Sequence, residues 1–117
     1  MANILCIGLD DSSLAAKRTS LERGGHSISQ AKDVLQVIAA CSGIRFDAII
    51  IGQNLPAKEK LRVCELVREH TYGAKVIELH TNPEPDLEAA DAYLRVGGKS
   101  EALVDVINGV LARRMTA

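Results

Sequence analysis

The sequence predicts an α/β domain, a doubly wound parallel sheet of five strands with helices on both faces. Five short apolar runs, most of them rich in β-branched residues, recur from end to end; stretches of helical spacing alternate with them; and the connections between them are short. The 117 residues fit a single domain, 1–117, large enough to close one core without a metal or a disulfide. Hydrophobic residues at 47%, charged residues at 25% and a net charge of -1 give no nucleic-acid footprint and no acidic disordered tail.

Each element has its own warrant. "NILCIGL" suits a central strand, and "DDSS" after it offers N-cap residues for a helix from Leu14 to Arg23 that Gly24 and Gly25 stop. "HSISQA" alternates polar and apolar residues as a shorter edge strand does. Val34, Leu35, Ile38 and Cys41 mark the stripe of a second helix, ended by Gly43. Ala48 to Ile51 read as a strand buried on both faces, followed by the turn residues Gly52 to Pro56. Pro56 stands where a third helix begins, with Leu61, Cys64 and Val67 as its inner face and Gly73 as its close. "AKVIEL" and "AYLRV" are the last two strands; Pro83 and Pro85 between them leave room for a helical turn or two. Ser100 caps a final helix whose inner face is Leu103, Val106, Ile107, Val110 and Leu111.

Three cysteines, Cys6, Cys41 and Cys64, are widely spaced within apolar patterns. They read as reduced core residues, with metal or disulfide use as the other reading. The apolar start is too short for a membrane span and meets Asp10 and Asp11 at once, without a signal-peptide pattern. The expectation is a cytoplasmic protein with no membrane anchor, and Arg113 and Arg114 before a short tail are read as the end of a stand-alone chain.

Five stretches in register carry a resemblance over roughly Asn3 to Arg113: "ILCIGLD", "LERGGHSI", "FDAIIIGQNLP", "KVIELHT" and "DAYLRVGGKSEAL". Together they resemble the receiver domain of two-component response regulators. The resemblance implies a flavodoxin-like three-layer sandwich with strand order 2-1-3-4-5. It also implies a shortened helix 4, because the segment between the last two strands is shorter than the family's.

Carried over position by position, the resemblance implies a degenerate pocket. The family's phospho-accepting aspartate falls on Gly52, and its magnesium-holding acid pair on Gly8 and Leu9, with Asp10 just beyond. His80 stands where the family has Thr or Ser, and Val96 where it has a lysine. Of the family's switch residues only the aromatic remains, as Tyr93. The losses reinforce one another chemically. Neither glycine nor the Gln53 amide can attack phosphorus, and magnesium usually needs more than one carboxylate among its oxygen ligands. Valine supplies no cation for developing charge. Removing clustered carboxylates also relieves their mutual repulsion in the metal-free protein. A shifted alignment, with Asp10 and Asp11 as the acid pair, still leaves no acceptor.

The reading is therefore a pseudo-receiver, not an enzyme, needing no cofactor or metal. It acts in signal transduction through a protein partner, with a homodimer also compatible and with no nucleic acid or membrane involved. Leu87, Tyr93 and Leu94 are the expected partner surface, left exposed by the shortened helix. Tyr93 is read as a static contact residue, with a rotamer switch as the alternative. The rival reading is a small-ligand binder or minor hydrolase using Asp10, Asn54 and His80 at the strand ends. Against it stands a plainer reading of His80 as a half-exposed loop histidine, and of Gly8 and Gly52 as sites of backbone tolerance.

Overall fold

Five parallel strands run through the middle of the molecule: β1 (Asn3–Ile7), β2 (Ser27–Ala31), β3 (Ala48–Ile51), β4 (Lys75–His80) and β5 (Ala92–Arg95), in the order β2-β1-β3-β4-β5. The structure is a computed structural model and describes residues 2–8, 11–43, 45–70, 73–81, 83–87, 90–95, 103 and 105–111. Three helices join the first four strands: α1 (Asp11–Arg23), α2 (Val34–Gly43) and α3 (Ala57–His70). A C-terminal helix spans 105–111. This is the predicted doubly wound sheet, with β2 and β5 at its edges.

The burial of the strands explains why they pair as they do. All four residues of β3 are buried, and Ile4 to Ile7 of β1 likewise, so both strands need cover on two faces. On one face Ile4, Cys6, Ile50, Ile77 and Leu79 pack with Leu21 of α1 and with Leu103 and Ile107 near the C-terminus. On the other, Leu5, Ile7, Ile49, Ile51 and Val76 pack with Val37 of α2 and with Val63, Cys64 and Val67 of α3. All three cysteines are free thiols, with Cys6 and Cys64 inside the core and Cys41 half-buried.

Helix ends follow their local chemistry. α1 begins at Asp11, so three residues of the "DDSS" run, Asp11 to Ser13, lie in its first turn. It closes on Gly25 at φ +89°, with Gly25 N–H donating to Glu22 O and His26 N–H to Leu21 O, an αL glycine ending. Asp33 caps α2: Gln36 N–H donates to Asp33 Oδ1 at 2.9 Å, while Gln36 Oε1 accepts from Lys32 N–H at 2.7 Å.

Two helical stripes differ from the expectation. In α2 Val37 is buried and Leu35 is 77% exposed. In α3 the buried face is Lys60, Val63, Cys64 and Val67, and Leu61 is 54% exposed. The spacing 60, 63, 64, 67 is an ordinary helical stripe with a lysine in its first place. Between β4 and β5 the expected short helix is reduced further: the described residues of 81–91 carry only bends and irregular backbone.

Candidate functional site

In an open parallel sheet, ligands and chemistry collect beyond the carboxyl ends of the strands, where the order reverses about β1 and β3. Here that end is stitched by main chain. Gly52 N–H donates to Ile7 O at 2.6 Å, and Asn54 N–H to Gly8 O at 3.2 Å, so the loop after β3 folds back across the end of β1. Gly8 adopts φ +81°, a conformation glycine takes readily and other residues resist.

Leu55 then covers Gly8. A Cβ built at position 8 would lie 2.6 Å from Leu55 Cγ, 3.1 Å from Leu55 Cδ1 and 3.3 Å from the Gly52 carbonyl oxygen. Leu55 is itself half-buried against the cluster that holds α2 and α3. The ends of β1 and β3 therefore carry two glycines, Gly8 under an aliphatic side chain and Gly52 followed directly by Gln53. The Gln53 Oε1 atom is buried without a hydrogen-bond partner in the structure; an amide oxygen accepts a hydrogen bond but is no phosphoryl acceptor.

The other predicted residues lie at the end of β4, in the loop after β3, or outside the described residues. His80 is the last residue of β4, in register with Arg95, and only 7% exposed. The half-exposed loop histidine is thus corrected to a buried strand residue, because β4 runs one residue further than "AKVIEL" suggests. Asn54 is exposed in the loop after β3. Leu9, Asp10 and Val96 lie outside the described residues. Among the described residues no group of three or more His, Cys, Asp or Glu side chains could hold a metal ion.

The expected partner surface is also rearranged. Leu87 is 4% exposed and belongs to the α2–α3 side of the core, a correction to its expected exposure. Its N–H is held by Glu78 Oε1 at 2.8 Å, and its side chain covers the sheet. Leu94 packs partly against the opposite cluster. Tyr93 stays exposed at 37%, and its hydroxyl accepts a hydrogen bond from Ala90 N–H at 3.1 Å, which ties the ring to its own strand entry.

The densest polar arrangement lies one strand away and was not foreseen. Lys60 and Glu78, 1% and 0% exposed, meet at 2.9 Å between Nζ and Oε2. Lys60 Nζ also reaches Asp86 Oδ2 at 2.9 Å and the Leu79 carbonyl at 3.1 Å. Glu78 accepts two main-chain N–H groups, Asp86 at Oε2 (2.9 Å) and Leu87 at Oε1 (2.8 Å). Burial pulls the Lys60 pKa down, but its hydrogen bonds to Glu78 and Asp86 and their attraction outweigh this and raise it above the ordinary 10.5. The sequence held a signal for this group. Glu78 stands mid-strand in a sheet covered on both faces, and a buried carboxylate demands a cation.

Comparison with known proteins places this architecture. No protein-family model matches the chain. A segment of 53 residues, 45% of this chain, is 36% identical to part of the sensor histidine kinase AruS of Pseudomonas aeruginosa. The match spans 5% of that kinase's length. A CheY-like receiver domain protein from Methanospirillum hungatei superposes with a TM-score of 0.84 at 21% identity, covering 99% of this chain and 98% of that one. The receiver domain of another Pseudomonas aeruginosa sensor histidine kinase superposes with a TM-score of 0.80 at 19% identity, covering 95% and 98%. That domain holds a magnesium ion in its active-site cleft. The chain has the flavodoxin-like fold of response-regulator receiver domains.

Proposed function

We propose that this chain is a receiver-fold module of two-component signalling that works by protein contact and is not switched by aspartyl phosphorylation. The observation that carries this reading is Leu55 lying over Gly8 where the resemblance puts a metal-holding acid, beside a Gly52 where it puts the phosphoryl acceptor. An aspartate at position 8 would have to displace Leu55 and strain a backbone at φ +81°. The receiver domain that coordinates magnesium in its cleft is the contrasting case.

On this reading the domain is non-catalytic, needs no cofactor, and acts on a protein partner in the cytoplasm. Among the described residues no helix is long and apolar enough to cross a membrane, which is compatible with that placement. A receiver switched by a ligand moves between states in proportion to the ligand's differential affinity for them. Without a phosphoryl site, this domain presents its partner with the form that its own sequence stabilises.

The test is incubation with acetyl phosphate and magnesium, followed by intact-mass measurement. The expected result is an unchanged mass under conditions that modify an active receiver run in parallel. A phosphoryl adduct mapped to any aspartate overturns the proposal.

A further inference from the structure

We propose that Lys60, Glu78 and Asp86 form a built-in latch that holds residues 83–87, in the β4–β5 connection, in one conformation without any bound ligand. The connection, 81–91, stands where the fold predicts a helix, and the described part of it makes no helical hydrogen bonds of its own. Its main-chain donors must still be satisfied, since a buried N–H without a partner is costly. Side chains supply the acceptors. Glu78 takes the N–H groups of Asp86 and Leu87 and Tyr93 Oη takes that of Ala90, while Asp91 closes the end by donating its N–H to Val76 O at 2.8 Å and accepting Val76 N–H at Oδ2, 2.7 Å.

Glu78 is the centre of this arrangement because its two oxygens receive two consecutive amides. That fixes the direction of the backbone as well as its distance, which an apolar contact cannot do. Lys60 neutralises the carboxylate, and its remaining protons go to Asp86 and the Leu79 carbonyl, so all its donors have partners. Buried ion pairs of this kind are often no more stabilising than an apolar replacement, so their effect here is on conformation. With Leu87 drawn into the core beneath it, the outer surface at Pro83, Glu84 and Pro85 is held in one form. The latch does not depend on how the strand ends at Gly8 and Gly52 function.

Hydrogen exchange of the full chain, followed amide by amide, tests this. The wild-type amides of Asp86 and Leu87 are expected to exchange about as slowly as that of Ile50 in the sheet. In Glu78→Gln both are expected to accelerate by about tenfold or more while Ile50 stays protected. Two results overturn the proposal: wild-type amides that exchange like an open loop, or a Glu78→Gln protein in which they stay slow. Leu87→Ala separates the latch from simple packing. If it frees the connection and Glu78→Gln does not, apolar burial holds the segment and the latch is refuted. Should Glu78→Gln fail to fold, the partly exposed Asp86→Asn gives the decision by limited proteolysis. Faster cleavage within 81–91 than in wild type supports the latch, and an equal rate contradicts it.

Discussion

Two regions of this sheet treat charge in opposite ways. At the carboxyl ends of β1 and β3 stand Gly8 and Gly52, with Leu55 packed close over Gly8. Beside them, between β4 and α3, a lysine and a glutamate are almost fully buried. The first region has no charge to offer at those two positions; the second spends all its charge on itself. Clustered carboxylates without a cation repel one another and invite a metal, whereas a buried carboxylate that already holds a lysine and two amides has its charge neutralised from within the fold. Receptivity to a ligand and internal order are alternative uses of the same residue types.

The largest effect is expected from breaking the self-satisfied region. Lys60→Met should leave Glu78 buried without its cation and cost about 3–5 kcal/mol, measured by urea unfolding. Adding Glu78→Leu should recover much of that loss while leaving the β4–β5 connection unpinned, which separates stability from order. In the ligand-facing region, Gly8→Ala should cost about 1–3 kcal/mol, through a positive φ and the contact with Leu55. Gly25→Ala sharpens the comparison, since Gly25 shares the backbone strain at φ +89° but its Cβ would meet nothing within 4 Å. It should cost about 1–2 kcal/mol, so the excess at position 8 measures crowding by Leu55.

The smallest effect concerns pH. The Lys60 pKa is raised in the folded protein, so its stabilisation is fully present below the unfolded value of 10.5 and is lost as pH climbs through the folded value. Thermal unfolding of the wild type should therefore lose stability above pH 10.5 more steeply than Lys60→Met does.

The sheet was legible in the sequence because its strands are bounded by glycine, proline and polar turns and because β3 has no polar residue at all. The loop after β3 was legible too, since Gly52 to Pro56 are turn residues and Gln53 to Leu55 form a turn and bend. What hid was whatever depended on reading a charged residue as buried. The inner face expected for α3 is right at Cys64 and Val67, but it includes Leu61, which is exposed, where the buried place belongs to Lys60. Glu78 is buried within β4 between Ile77 and Leu79, and the strand pattern alone names no partner for it. Leu87 was placed outside because the missing helix suggested a bare surface. With the carboxylate of Glu78 gathering the Asp86 and Leu87 amides, the side chain of Leu87 instead turns into the core. No local pattern reports a partner 18 residues away in the chain, as Lys60 is from Glu78.

The most direct test of the central claim is a titration with magnesium and beryllofluoride, following the backbone amide resonances of Gly8, Gly52 and Asn54. Leu55 over Gly8, with a second glycine at position 52, predicts that these resonances stay where they are at concentrations that saturate an active receiver. Saturable shifts at these amides, spreading to the connection between β4 and β5, would show a working acceptor site and contradict the account.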